Sequence, residues 1–338
     1  MKYTKVFINA IGYELGPNVV TSSELEKRIA PMLDALHIPP GQLEALTGIR
    51  ERRWWDPGFA LSEGAARAGR KALEQSGLSA ADLGALIYAG VCREYSEPAT
   101  AAAVADALGV KPSTAVFDVS NACLGVQNGM LDLANRIELG QIKAGMVVSC
   151  ESSREINDSA IEQMLADRSF DNFRLSIATL TGGSGAVAVI LTDGSFGGAK
   201  GHKLLGGVYR SACEHHKLCI WNRDKMSTDA TAALKHGIVL GRQTWDDLLT
   251  ELDMRAEEFG KVICHQVGST HRKTILDALG IPEDKDFATY EYLGNMGTVA
   301  LPSAAAIAAE REFLTPGDTV AFLGIGSGLN TIMMGVKW

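Results

Sequence analysis

The chain has 338 residues, 46% of them hydrophobic, and a formal net charge of -8. That length suits one large core or two of ordinary size, the apolar content argues against disorder, and the negative balance leaves no global footprint for nucleic-acid phosphates. No stretch approaches the ~18–20 uninterrupted apolar residues of a membrane span, and the start MKYTKVFINA lacks the apolar core of a signal peptide, so a soluble cytoplasmic protein is expected.

In chain order, short apolar runs bounded by turn residues read as buried strands: VFINAIGY near the start, 84–90, 115–120, 144–150 and 185–191. Helical spacing falls between them. It covers 22–36 with Ser22 and Ser23 as candidate caps, 62–75 from Ser62, 99–108 and 124–139. The alternation of β and α predicts an α/β fold.

The second half repeats the rhythm. HKLLGGVYRSA, a helix across 228–250, the strand GKVICHQV, helices at 270–279 and 302–313, then TVAFLGIG and NTIMMGVKW follow in turn. An internal duplication explains this, with GALIYAG answering to GKVICHQV, AGMVVSC to TVAFLGIG and GAVAVIL to NTIMMGVKW. Equivalent strand ends then face one another, and residues from both halves meet in one central site. The boundary is expected in the Gly-, Ser- and Asp-rich stretch 192–201, giving halves 1–194 and 195–338.

Six cysteines are scattered without a CxxC pair, which argues against a zinc site or a disulfide framework, and no metal site is expected. Cys123 differs from the others in placement. It follows a predicted strand and opens a predicted helix, where unpaired N–H groups and the helix dipole favour a thiolate. Cys92, Cys150 and Cys264 lie in or beside strands, where a thiol is a small filler.

His265 closes VICHQV and Asn295 lies in EYLGNMGTV; a neutral imidazole and an amide can together hold a developing enolate or thioester oxyanion. Read singly, they are a core histidine and a turn asparagine. The Gly-rich FLGIGSGLN is not a nucleotide loop, since its spacing is not GxGxxG and it leads to a strand. It suits close backbone approach, the N–H of Gly326 joining that of Cys123 in an oxyanion hole. Thr181–Gly185 precedes a strand and is expected to be structural. Arg50, Arg52 and Arg53 with Trp54 offer charge and stacking for coenzyme A or an acidic carrier protein, or form a surface cluster offset by Glu51 and Asp56. The adjacent His215 and His216 read as solvated loop rather than metal ligands.

Together the motifs Thr47–Arg53, Asn121-Ala122-Cys123, His265-Gln266-Val267, Gly294-Asn295-Met296-Gly297 and the Gly-rich end resemble, over essentially the whole chain, the β-ketoacyl-ACP synthase III branch of the thiolase superfamily. Glu97-Pro98, Lys217-Leu218-Cys219 and the terminal Lys337-Trp338 resemble most the OleA group within that branch, which joins two fatty acyl chains head to head. The resemblance implies a thiolase fold of two βαβαβαββ halves in a five-layered αβαβα sandwich. It implies an acyltransferase with Cys123 as nucleophile, His265 and Asn295 as enolate holders, and acyl-CoA or acyl-ACP thioesters as substrates with no resident cofactor. It also implies a homodimer in which Glu97 reaches the partner subunit's active site as the base that removes an α-proton. Decarboxylative condensation of malonyl-ACP, which needs no such base, and simple acyl transfer to an alcohol or amine stay open at this point.

Overall fold

The computed structural model of the chain describes residues 1–196, 201–222 and 225–338. Of the expected boundary at 192–201, residues 197–200 lie outside the described residues. The first half runs β1 (Phe7–Leu15), β2 (Asn18–Thr21), α1 (Ser22–Arg28), α2 (Ala30–Ala35), α3 (Gln42–Thr47), β3 (Glu51–Trp54), α4 (Leu61–Ser76), β4 (Ala85–Ala89), α5 (Thr100–Leu108), β5 (Ala115–Val119), α6 (Gly125–Glu138), β6 (Ala144–Glu151), α7 (Arg154–Ala166), α8 (Phe170–Ser176) and β7 (Gly185–Thr192). The second runs β8 (His202–Ser211), β9 (Cys219–Asn222), β10 (Lys225–Thr228), α9 (Ala230–Leu252), β11 (Lys261–Cys264), α10 (Ser269–Leu279), α11 (Tyr290–Leu293), α12 (Ala300–Glu310), β12 (Thr319–Gly326) and β13 (Asn330–Lys337).

Strand order displays the duplication. Outward from the middle, one side reads β1-β7-β6-β4-β5 and the other β8-β13-β12-β11. β4 lies parallel to β6 as β11 does to β12, and β6 is antiparallel to β7 as β12 is to β13. The three strand equivalences expected from the sequence therefore hold. β1 and β8 meet over only Phe7–Lys203 and Ile8–His202, so the two sheets separate away from that seam. The place beside β11 that β5 takes beside β4 is filled by a single bridge from Asp286 to Val262.

Three apolar clusters divide the stack into five layers. α4 and α5 cover the outer face of the first sheet through Ala65, Ala68, Ala72 and Val104, packed on Met146, Val148 and Ile190. Between the sheets lie α6 and α12, whose Val126, Met130, Ala304 and Ile307 share one core with Val147 and Val189 of one sheet and Phe322 and Met334 of the other. Trp245 and Leu248 of α9, with Ile275 and Leu276 of α10, cover the second sheet. Close layers need small residues: a Cβ on Gly12 of β1 would stand 2.5 Å from the Ala68 carbonyl oxygen of α4.

Two local expectations are corrected. The single helix expected over 22–36 is two, broken at Ile29 (φ -102°, ψ 14°), because Pro31 cannot donate an in-helix hydrogen bond and is accepted only in the first turn of α2. Its cap is Thr21, which forms a capping box with Glu24, whereas the Ser22 hydroxyl donates to the Ile49 carbonyl. α4 begins at Leu61 without a side-chain cap of its own, and the Ser62 N–H is taken by the Glu94 carboxylate at 3.0 Å.

Candidate active site

Cys123 sits in a tight turn between β5 and α6. Ala122 before it takes a left-handed backbone (φ 46°), and the Leu124 N–H closes the turn on the Asn121 carbonyl at 2.9 Å. Strain of this kind in a non-glycine residue persists only where the surroundings fix it. Here Asn121 is held from both halves, accepting from Asn330 Nδ2 and donating to Asn128, each at 3.0 Å. The Thr298 hydroxyl accepts the Val126 N–H at 2.7 Å, so a residue of the second half satisfies a free donor in the first turn of α6.

A cavity of ≈ 280 Å³ opens over this turn, and its wall includes Cys123, Glu151, Gly182, Cys219, Trp221 and Asn295. Asn295 is aimed by its backbone. Its N–H donates to Thr181 O and its carbonyl accepts from Gly183 N, both at 2.9 Å, while its side-chain oxygen accepts the Gly297 N–H at 3.1 Å. With the oxygen so used, the NH2 group is the part of the amide left to donate in the cavity that Asn295 lines. The structural role expected of Thr181–Gly185 is thus to seat Asn295, and a Cβ on Gly183 would stand 2.0 Å from the Leu293 carbonyl oxygen.

Gly326 ends β12 against the same turn: a Cβ there would lie 3.4 Å from the Cys123 nitrogen and 3.1 Å from Leu124 Cγ. The two backbones therefore approach closely at this point. His265 follows β11 rather than lying in it, and its N–H donates to Leu323 O at 2.9 Å, one strand across from the end of β12. It is 4% exposed and is not one of the residues lining the cavity.

Burial sets the charge states. It pushes the Cys123 thiol, open to the cavity but deep in the chain, up to about 12, with Cys219 and Glu151 adding to the effect. The free protein therefore carries a thiol at Cys123, contrary to the thiolate expected from its place beside a helix. α6 starts two residues later, at Gly125, and one of its free N–H groups is already taken by Thr298. Burial, with His271 nearby, pushes His265 down to about 3, so its imidazole is neutral at ordinary pH.

Glu97 is exposed on the loop between β4 and α5 and does not line the cavity of its own chain; its bond to Pro98 is cis. The basic cluster is corrected in part. β3 sends alternate side chains inward, and Arg52 and Trp54 are buried. Arg52 donates to Ser22 Oγ and Val20 O, and Trp54 Nε1 to Gly182 O at 3.1 Å. Both are internal braces closed to a nucleotide; Arg50 is exposed and Arg53 half-buried. His215 stacks on His236, and no group of three or more metal-binding side chains occurs among the described residues. No described helix is long and apolar enough to cross a membrane.

Sequence reading missed two parts of the wall. The hairpin β9–β10 folds over the first half's α7 and α8 and brings Cys219, Trp221 and Met226 to the cavity. Residues 223–224 lie outside the described residues. The other is Glu151, a carboxylate ending an otherwise uncharged buried strand, AGMVVSCE, and that anomaly was its available signal.

Residues 249–338 match the family described as 3-oxoacyl-[acyl-carrier-protein] synthase III C terminal. The acyl-CoA:acyl-CoA alkyltransferase of Shewanella oneidensis is 57% identical and that of Xanthomonas campestris 36% identical, each over 100% of both chains. Crystal structures of Xanthomonas campestris OleA superpose with a TM-score of 0.97 at 35% identity, over 100% of this chain and 98% of that one. Those at 0.97 include cysteine and glutamate variants and a complex with cerulenin; a histidine variant and a structure with lauric acid and lauroyl-CoA superpose with a TM-score of 0.96. A duplicated five-layered fold, a cysteine turn and an asparagine on one cavity, and similarity along the whole length lead to one assignment: the chain belongs to the acyl-CoA:acyl-CoA alkyltransferase family, the OleA-like branch of the thiolase-fold condensing enzymes.

Proposed function

We propose that the protein joins two fatty acyl-CoA molecules head to head by a non-decarboxylative Claisen condensation, giving a β-keto acid. The observation that carries this reading is the convergence of Cys123 and Asn295 on one cavity, with the Gly326 backbone packed on the Cys123 turn. The Cys123 sulfur attacks the thioester carbonyl of the first acyl-CoA, forming the enzyme thioester and releasing coenzyme A, which takes the thiol proton. The tetrahedral oxyanion rests on the Cys123 and Gly326 N–H groups. Asn295 Nδ2 and the neutral His265 hold the carbonyl oxygen of the second acyl-CoA as it gains charge. Glu97 removes that molecule's α-proton, the carbanion attacks the Cys123 thioester, and the cysteine leaves. Hydrolysis of the resulting β-ketoacyl thioester gives the acid.

Glu97 does not line its own chain's cavity, which supports a homodimer in which it serves the partner subunit's site. Arg50 and Arg53 are the cluster residues open to the coenzyme A phosphates or to an acyl carrier protein. The domain limit belongs at 194/195, between the last strand of the first half and β8. The relatives' names and the lauroyl-CoA complex support acyl-CoA as substrate. The cysteine, glutamate and histidine varied in the Xanthomonas campestris enzyme are the residue types assigned here to Cys123, Glu97 and His265.

Incubation with a long-chain acyl-CoA alone should yield the β-keto acid or the ketone formed by its decarboxylation. A strict requirement for a malonyl thioester would sink the reading and favour ketoacyl-ACP synthesis. Glu97→Gln should leave acylation of Cys123 intact, visible by intact mass, while condensation falls by about 10²–10⁴-fold, the usual worth of a general base.

A further inference from the structure

Glu151 is a buried carboxylate to which the reaction above assigns nothing. It is 4% exposed, ends β6, and lines the cavity with Cys123 and Asn295. Burial raises its proton affinity, against the N–H groups of Val91, Cys92 and Thr298, which favour the charged form. Its two oxygens divide between consecutive amides of one loop: Val91 N donates to Oε1 at 2.9 Å and Cys92 N to Oε2 at 3.0 Å. These are the first residues of the loop that carries Glu97. Further ties hold the same root. The Tyr88 hydroxyl lies 2.8 Å from both Cys92 O and Cys150 O, with its one proton to donate to either, and Cys92 Sγ donates to Ser152 O at 3.3 Å. The loop's far end is held separately, the Thr100 and Ala101 amides donating to Asp118 at 2.9 Å each. Between the two anchors Glu97 stands in solvent.

We propose that Glu151 is a positioning residue: by gripping the Val91 and Cys92 amides it fixes the root of the 91–98 loop and so aims the Glu97 that the loop lends to the partner subunit. This rests on the reading of Glu97 as a base delivered between subunits. Each cavity then contains the anchor of an arm that serves the opposite cavity, and a defect at Glu151 appears in the neighbouring site rather than its own. Glutamine at 151 keeps the shape but presents an NH2 group to one of the two amides, and two donors cannot pair. Aspartate keeps the charge but shortens the reach by one methylene.

The test uses dimers assembled from differently tagged chains. Homodimers of Glu151→Gln should still load Cys123 to completion with the acyl group, seen by intact mass, while condensation falls by about 10–100-fold, the scale expected for a catalytic group displaced by an ångström. A mixed dimer of Glu151→Gln with Cys123→Ala pairs an intact cysteine with a properly anchored partner loop, and should recover condensation at about half the parental rate. No recovery, or a matching loss of acylation, would show that Glu151 acts on its own cavity and would overturn the proposal. The mixed dimer of Glu97→Gln with Cys123→Ala is the control. If it fails to recover activity, Glu97 is not delivered between subunits, and both readings fall for that distinct reason. Glu151→Asp, followed by thermal unfolding, repeats the test should the glutamine variant not fold; equal losses in acylation and condensation would again refute the assignment.

Discussion

The two halves share a strand order and use it differently. In the first, β4 leads to the exposed Glu97 loop, β5 to the Cys123 turn before α6, and β6 to Glu151. In the second, the equivalent β11 leads to His265, the Asp286 segment to the Asn295 loop before α12, and β12 to Gly326. The last pair cross over. Gly326 packs on the Cys123 turn of the first half, and Glu151 lies against the Asn295 loop of the second, where a Cβ on Gly297 would be 3.5 Å from its carboxyl carbon. Duplication thus supplies the frame twice, and on the proposed reading the side chains divide the chemistry: covalent capture and proton removal fall to the first half, and the Asn295 and His265 hold on the enolate to the second.

The sharpest way to break that division is to disable one member of the Cys123 and Asn295 pair at a time. Cys123→Ala should abolish the acyl mass gained from acyl-CoA and lower condensation by more than about 10³-fold, the scale of loss when a covalent nucleophile is removed. Asn295→Ala should still gain the acyl mass and lose about 10²–10³ in condensation, the usual worth of one oxyanion donor. Loss of acylation in the asparagine variant would erase the distinction between the halves.

A second difference lies in how the outermost strand of each sheet is held. β5 makes a full parallel ladder with β4, whereas its counterpart is one bridge at Asp286, stitched by side chains. Arg272 Nε meets the fully buried Asp286 carboxylate at 2.6 Å, Nη1 reaches Glu283 at 3.0 Å, and Cys264 N donates to Asp286 at 3.1 Å. Arg272→Ala leaves that carboxylate buried without its cation and should cost about 3–5 kcal/mol by denaturant unfolding. Arg67→Ala in the first half, which breaks a half-exposed pair with Glu63, should cost no more than about 0.5 kcal/mol. Comparable losses would mean that the Arg272–Asp286 ion pair does not hold the second sheet's edge.

How much of this was legible depends on whether the signal is local. Strands such as β4, β6 and β7 are continuous apolar runs buried along their length, and their equivalents repeat them, so the fold and its duplication are written in periodicity. Cys123 and Asn295 were legible because turn chemistry surrounds them. Arg52 and Trp54 were misread because a basic aromatic run looks like a surface, and only the pairing of β3 with β2 shows which of them point inward. The charge state of Cys123 was missed because it depends on depth and on Cys219 and Glu151, which are far away in sequence. The hairpin that closes the cavity has no motif, since its place is set by packing on α7 and α8.

The smallest effect concerns acid, and it separates the halves by residue type. The histidines kept neutral by desolvation belong to the second half: burial pushes His265 down to about 3 and the half-buried His271 and His202 to about 4, whereas His37, in the first half, is exposed. Each of the three has a folded pKa below its unfolded value of about 6.5, so the unfolded chain binds more protons between roughly pH 4 and 6.5. Their contribution is present in full above pH 6.5 and is lost as pH falls, with a limiting slope of about 1.4 kcal/mol per pH unit for each fully buried histidine. Glu151 and Asp286, whose carboxyls burial pushes up, work the other way, since the folded chain holds their protons more tightly and regains stability as pH drops. Comparing a His271→Gln protein with its parent cancels the carboxylates. Its stability, followed by thermal unfolding from pH 7.5 to 4.5, should fall less steeply than the parent's. An unchanged slope would mean that His271 takes up its proton without unfolding, and that acid sensitivity does not reside in the second half.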